Sequence, residues 1–169
     1  MRYTAKHLLN GTLEEAMMIA KDRTRDERVY PNITSLKQVK WDETDTDIHC
    51  EFITRGDGEI PKPLRKLITP KMVSWRETGH WDKKNNTYEY QVKTFYFSNI
   101  FQMRGKIRFI PQGNDKILRE LEGEIKINLP LLGQLAEKTI VKYQIDNLDK
   151  EAKIFEKDLE ELRKKRGKM

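Results

Sequence analysis

The sequence predicts an α+β domain in which a curved antiparallel sheet of six to seven strands wraps around one long C-terminal helix. Two observations lead to this fold class. Over residues 33–128, apolar and polar residues alternate, which is typical of antiparallel strands with one buried face. Over residues 130–162, the apolar spacing becomes that of an amphipathic helix. A sheet with one apolar face must cover it, and this helix is the only segment long enough to do so.

Length and composition agree with one domain. The chain has 169 residues, of which 36% are charged, and this length suits a single domain. A single cysteine, Cys50, excludes a disulfide framework, and no apolar run is long enough to span a bilayer. The first residues lack the apolar core of a signal peptide, so we expect a cytoplasmic protein.

The net charge of +6 is concentrated at one end of the chain. Five cations lie within residues 163–169, and the 28 basic and 27 acidic residues of positions 1–162 leave a net charge of +1 there. We therefore expect one near-neutral domain over residues 1–162 and a flexible basic tail over residues 163–169. This distribution disfavours nucleic acid as a partner, whereas the tail suits an anionic membrane surface.

The first elements are a short strand and a helix. Residues 2–9 form a candidate strand. Thr12 is a candidate N-cap for a helix over residues 13–21, and Glu15 stands where the partner in a capping box belongs. The polar residues 22–28 that follow predict no regular element.

Six further strands follow as a meander separated by turn residues. The strand over residues 72–81 leaves open which of its faces is buried. Gly105 and Gly123 fall on the buried face, where glycine lets a strand bend sharply. We call the face predicted to be buried the inner face. Apart from the glycines, its members are Val39, Trp41, Ile48, Cys50, Phe52, Tyr88, Tyr90, Val92, Phe101, Met103, Ile107, Phe109, Ile117, Arg119, Leu121, Ile125 and Ile127.

The last helix carries an apolar stripe whose members recur at spacings of four and three residues. Three heptads could also form an intermolecular coiled coil, but the inner face of the sheet needs this stripe, which favours packing within the chain. The stripe consists of Val141, Ile145, Leu148, Ala152, Phe155, Leu159 and Leu162.

The passage from the last strand into this helix reads Ile127-Asn-Leu-Pro-Leu-Leu-Gly-Gln-Leu-Ala-Glu137. Together with the element order, it resembles the START-like, birch-pollen-allergen-like helix-grip superfamily (SRPBCC), nearest an uncharacterised bacterial branch whose last strand ends in a similar Pro-Leu-x-Gly-x-x-x-Glu turn. The resemblance implies that lipids, sterols, polyketides or other hydrophobic molecules bind between sheet and helix. Some members of the superfamily are cyclases or hydrolases, and some are chaperone cofactors.

A bent sheet around a helix is expected to leave a pocket lined by inner-face residues, although core packing is the alternative for each of them. If Trp75 faces inward, Glu77 and Arg119 share the inner face. They could pair or hold a ligand headgroup, and a structural salt bridge is the favoured alternative. The predicted ligand-binding residues are Trp41, Phe52, Trp75, Glu77, Tyr90, Val92, Met103, Phe109, Arg119, Leu121, Val141 and Ile145.

Signals for catalysis are weak. The three histidines, His7, His49 and His80, do not have the spacing of metal ligands. Cys50 follows His49, but neighbouring strand residues point to opposite faces and cannot form a local dyad. The sequence therefore predicts no catalytic residue, no metal site and no cofactor.

A second membrane candidate lies in residues 60–71. Leu64, Leu67 and Ile68 have helical spacing and alternate with basic neighbours, namely Lys62, Arg65, Lys66 and Lys71. This segment could be a lid that touches an anionic membrane, and a short connecting helix with solvated lysines is the favoured alternative.

Three functions remain open at this point. The leading prediction is the binding or transport of a lipid or other hydrophobic small molecule in a cavity between sheet and helix. A cyclase-like or hydrolase-like enzyme on the same fold is the alternative, and an interaction module is the third.

Overall fold

A computed structural model describes residues 1–30, 32–56, 60, 62, 65, 66, 69 and 72–167. A short 3₁₀ turn over Arg23–Arg25 precedes the second helix. The elements are β1 Arg2–Asn10, α1 Leu13–Lys21, α2 Asp26–Val29, β2 Ile33–Glu43, β3 Asp47–Gly56, β4 Ser74–Asp82, β5 Thr87–Thr94, β6 Phe101–Gly113, β7 Lys116–Ile127 and α3 Gly133–Gly167.

The strands form one antiparallel sheet of seven, in the order β1-β7-β6-β5-β4-β3-β2. Strands β2 to β7 pair as a meander, and β1 adds to the free side of β7 with Tyr3 opposite Gly123. The predicted fold class, an antiparallel sheet with one long C-terminal helix, is confirmed. No helix among the described residues combines the length and apolar content needed to cross a bilayer.

Helix α1 begins at the predicted capping box. The Thr12 hydroxyl accepts a hydrogen bond from the Glu15 amide at 3.2 Å, and the Glu15 carboxylate accepts one from the Thr12 amide at 2.8 Å. Ala16 and Ile19 on the buried side of α1 join an apolar cluster with Leu159 of α3. Helix α1 therefore packs on the C-terminal half of α3.

Helix α3 packs mainly against β1 and β7. The predicted stripe faces the sheet, with Val141, Leu148, Phe155 and Leu159 buried. One apolar cluster surrounds Phe155 together with α1, and a second surrounds Val141 near the helix start. At 1.5 Å per residue the helix is roughly 50 Å long, so it spans both clusters.

The basic residues after position 162 depart from expectation. Helix α3 continues to Gly167, so a flexible tail is wrong for residues 163–167. Arg163 lies 3.6 Å from the Glu15 carboxylate and Arg166 lies 3.4 Å from that of Glu14, which ties the helix end to α1. Cations at a helix C-terminus also interact favourably with its dipole.

Leu64, Leu67, Ile68 and Lys71 lie outside the described residues.

Strand β2 contains a β-bulge that the alternating pattern did not predict. Gln38 lies opposite Phe52, but Lys40 lies opposite Glu51, so one extra residue stands between the two pairs. Val39 is therefore 41% exposed, and its predicted place on the inner face is wrong. Beyond the bulge, Trp41 returns to the inner face opposite Cys50.

Glycines on the inner face make room for tyrosine rings. A Cβ atom built at Gly105 would lie 2.5 Å from the Tyr90 hydroxyl oxygen, far closer than packed atoms approach. The rings thus cover the backbone where a glycine offers no side chain, an arrangement known to support glycine in sheets. The three glycine–tyrosine pairs are Gly79 with Tyr88, Gly105 with Tyr90, and Gly123 with Tyr3.

We expect Gly105→Ala to lower the free energy of unfolding by about 1–3 kcal/mol, because the new methyl group must displace the Tyr90 ring. Urea unfolding followed by circular dichroism measures the change. Gly167→Ala is the matched control, since a Cβ there meets no atom within 4 Å. Equal stability of the two variants would contradict the proposed ring packing.

Candidate functional site

The inner face of the sheet is closed at one end and open at the other. At the closed end, Trp81, Tyr88 and Phe109 are buried against α1 and Phe155. Elsewhere on β4, β5 and β6, seven inner-face side chains remain only half-buried, away from the strands on which α3 mainly packs. We call these seven the open half of the inner face: Trp75, Tyr90, Val92, Thr94, Phe101, Met103 and Ile107.

The twelve predicted ligand-binding residues divide between the two ends. Trp75, Tyr90, Val92 and Met103 lie in the open half, and Ile145 of α3 is likewise half-buried. The remaining seven belong to closed packing or to ion pairs: Trp41, Phe52 and Phe109 in the cluster around Phe155, Leu121 and Val141 in the second cluster, and the charged Glu77 and Arg119.

Glu77 faces inward, which settles the orientation of β4. Its carboxylate receives two hydrogen bonds from the Arg23 guanidinium, at 2.6 and 3.2 Å, and a third from the Tyr88 hydroxyl. Burial acts to raise the pKa of Glu77, but Arg23 and Tyr88 outweigh it and leave the pKa below its ordinary value. Glu77 is thus a buried, ionised carboxylate at neutral pH.

Arg119 is buried as well, but it does not pair with Glu77. One of its guanidinium nitrogens lies 2.6 Å from the Glu151 carboxylate of α3, and another lies 3.2 Å from Nδ1 of His7. The predicted contact between Glu77 and Arg119 is therefore wrong, although both side chains face inward. Each charge finds a nearer partner on an element that covers the sheet.

The partner of Glu77 comes from the segment after α1, which sequence reasoning left without a role. Arg23 also binds Asp26 at 2.8 Å. Arg25 is 8% exposed and binds both Glu151 and Asp158 of α3, at 3.1 and 3.0 Å. A signal existed: a glutamate on the inner face requires a buried cation, and this short segment supplies several arginines.

Four tyrosines place phenol groups inside the molecule. Burial raises the pKa of Tyr3, Tyr30, Tyr88 and Tyr90. The nearby carboxylates of Glu151 and Asp26 raise the pKa of Tyr30 further. At neutral pH these side chains are uncharged hydroxyls, and the Tyr90 side chain reaches the open half.

This arrangement suits binding better than proton transfer. A general acid or base works best with a pKa near the working pH, whereas the pKa of Glu77 is lowered and that of Tyr88 is raised. Cys50 is buried, and burial raises the pKa of its thiol, so it is a poor nucleophile. The open half offers an apolar wall with neutral hydroxyl groups at its side.

A separate groove of about 610 Å³ crosses the outer face of the sheet over β1, β7, β6, β5 and β4. Its charged side chains neutralise one another: Glu124 lies 3.2 Å from Arg2 and 3.2 Å from Arg104. Lys106 lies 3.5 Å from Glu89 in the same way. The groove is thus a surface of paired charges, on the side of the sheet opposite to the open half.

Sequence comparison gives one family. Residues 12–159 match the family described as "Protein of unknown function (DUF2505)". The chain belongs to this family. No curated protein matches the sequence.

Solved structures relate this DUF2505 chain to a wider fold. The Zhui aromatase/cyclase of Streptomyces sp. R1128 superposes with a TM-score of 0.69 at 10% identity, covering 95% of this chain and 93% of that one. A START superfamily protein of Mycobacterium smegmatis gives 0.61 at 14% identity, covering 95% and 98%. Norcoclaurine synthase of Thalictrum flavum gives 0.65 at 12% identity, covering 91% and 92%. The predicted resemblance to START-like proteins is confirmed at the level of the fold.

Removing one partner of the buried ion pair should destabilise the protein strongly. We expect Arg23→Met to lower the free energy of unfolding by about 3–5 kcal/mol, because Glu77 then remains buried without a cation. The double variant Arg23→Met/Glu77→Gln should recover part of this loss, which a double-mutant cycle in urea quantifies. Strictly additive effects would contradict a direct pairing.

The same pair should stabilise the protein in a pH-dependent way. Since the folded state lowers the pKa of Glu77 below its ordinary value of 4.5, the contribution is complete above that pH and is lost as the pH falls further. Urea unfolding across the acid range should therefore show a shallower loss of stability in Arg23→Met/Glu77→Gln than in the wild type. If the free energy of unfolding falls equally steeply with decreasing pH in both proteins, the prediction is refuted.

Proposed function

We propose that the protein binds a hydrophobic small molecule or lipid between the inner face of the sheet and α3. The observation that carries the proposal is the open half, where apolar side chains such as Trp75, Val92 and Met103 stay half-exposed on the strands that α3 covers least. Covering apolar surface is favourable by roughly 25 cal/mol per Å². A bound apolar molecule would supply the cover that α3, packed on β1 and β7, does not give.

The polar groups beside the open half indicate the type of ligand. The Arg23 guanidinium and the Glu77 carboxylate satisfy each other, so neither is left to attract a charged headgroup. Tyr90 and Tyr30 carry uncharged hydroxyl groups, which can donate and accept hydrogen bonds. These features favour a largely apolar ligand with one neutral polar group, such as a hydroxyl or a carbonyl.

A cyclase-like or hydrolase-like enzyme remains the second candidate. Glu77 and Tyr88 form the acid–base pair that such a reaction would use, because they share a hydrogen bond in the interior. The pKa of Glu77 is lowered and that of Tyr88 is raised, so neither group titrates near neutral pH. This favours a structural role for the pair. Binding of a hydrophobic molecule is therefore the function that we propose.

A matched pair of variants tests the proposal with the fluorescent apolar dye N-phenyl-1-naphthylamine. Val92→Trp fills the open half, whereas Gln91→Trp places the same ring on the exposed outer face one residue away. We expect Val92→Trp to weaken dye binding by about tenfold or more, as loss of roughly 1.4 kcal/mol would do, and Gln91→Trp to bind as the wild type does.

Solvent extraction of the purified protein followed by mass spectrometry should release an apolar molecule from the wild type and less of it from Val92→Trp. No dye binding by the wild type, or equal binding by both variants, would rule out a ligand site in the open half.

A further inference from the structure

Six large apolar side chains are exposed at one end of the sheet. Three are consecutive aromatic residues in the connection between β5 and β6, and three lie where β7 passes into α3. Leu131 is completely exposed, and Leu135 is 55% exposed. We call this set the apolar tip, and it consists of Phe95, Tyr96, Phe97, Leu131, Leu132 and Leu135.

The two segments that form the apolar tip are joined by hydrogen bonds. The Asn128 backbone amide donates a hydrogen bond to the Ile100 carbonyl oxygen at 2.8 Å. The Asn128 side-chain amide donates one to the backbone carbonyl oxygen of Asn99 at 3.2 Å. The tip also adjoins the open half, because Val92 and Met103 pair with each other just before the connection between β5 and β6.

Backbone geometry adds a second, independent observation. Phe97 and Leu131 have φ angles of 55° and 66°, in the left-handed region that large side chains seldom adopt. The other described non-glycine residues with positive φ are Asn86, Asn114 and Asp115, the residue types that tolerate it best. A phenylalanine and a leucine at such positions cost both backbone strain and exposure, which points to a function other than folding.

Cations flank the apolar tip. Lys93 and Lys126 each lie opposite Gln102, at the ends of β5 and β7 beside the tip. Lys138 is exposed in the first turns of α3. The neighbouring acid, Glu137, is occupied by the N-terminal ammonium group at 3.4 Å and by a backbone amide at 2.9 Å.

We propose that the apolar tip docks on an anionic lipid bilayer, with its aromatic and leucine side chains entering the interface and the flanking lysines contacting lipid headgroups. Apolar side chains next to basic ones have the chemistry of peripheral membrane contact. A second copy of the chain fits less well, since a two-fold interface would bring the same lysines face to face.

This docking surface goes beyond the proposed binding function and does not depend on it. It differs from both membrane contacts that the sequence predicted: the apolar residues of the segment 60–71 lie mostly outside the described residues, and the C-terminal cations Arg163 and Arg166 lie beside α1. Because the tip adjoins the open half, docking would bring that half close to the lipid surface.

Vesicle flotation tests the proposal, with vesicles of phosphatidylcholine alone and vesicles containing about a third phosphatidylglycerol. The wild type should float with the anionic vesicles. Phe97→Asn/Leu131→Asn should reduce this partitioning by about tenfold or more, while its melting temperature stays equal or rises because asparagine tolerates a positive φ. The matched control, Leu8→Asn/Met18→Asn, removes exposed side chains (56% and 49%) at the other end of the molecule and should float as the wild type does.

A second pair of variants tests the electrostatic contribution of the lysines to vesicle binding. Lys93→Gln/Lys126→Gln should weaken binding to anionic vesicles by about fivefold per lysine, whereas Lys84→Gln/Lys116→Gln, at the opposite hairpins, should have little effect. The proposal is overturned by a wild type that ignores anionic vesicles at low salt or by full binding of Phe97→Asn/Leu131→Asn. It is also overturned if light scattering finds a dimer that this variant abolishes, since the tip is then a self-interface.

Discussion

Glu151 is the carboxylate on which the interior of this protein depends. From the middle of α3 it receives Arg25, which follows α1, and Arg119, which lies on β7. Both guanidinium groups lie 5.2 Å from the Phe155 ring one turn along the helix. Buried ion pairs contribute little net stability, but removing one member leaves an uncompensated charge. Their effect here is to define one position of α3 along the sheet.

The open half follows from that position. Because α3 is tied to β7, it covers the inner face at that side of the sheet, and α1 completes the cover at the closed end. The segment after α1 brings Arg23 to Glu77 on β4. Among the described residues, the helices that cover the inner face contact mainly β1, β6 and β7 rather than β4 and β5, and tyrosine rings lie on the inner-face glycines. Ion pairing thus determines where the interior closes and where it stays open.

Local periodicity made most of the fold predictable. Alternation located the strands, the spacing of the stripe located α3, and the Thr12 capping box located α1. Ion pairing was not predictable in this way, since Arg23 lies 54 residues before Glu77 and Arg25 lies 126 before Glu151. Glu77 and Arg119 were therefore placed on the correct face, but their partners were not predicted. The bulge at Val39 escaped because Val39 and Trp41 alternate with polar neighbours, as they would in a regular strand.

That bulge has a further consequence for β2, which forms one edge of the sheet. An edge strand of eleven residues presents unpaired amide and carbonyl groups that can recruit a strand from another molecule. Irregular register near Ile33 and again beside Gln38 interrupts this row, and Lys37 and Lys40 are exposed on the same strand. Irregular backbone and positive charge are known protections against edge-to-edge aggregation. The bulge that the alternating pattern did not predict therefore also protects the folded chain against edge-to-edge aggregation.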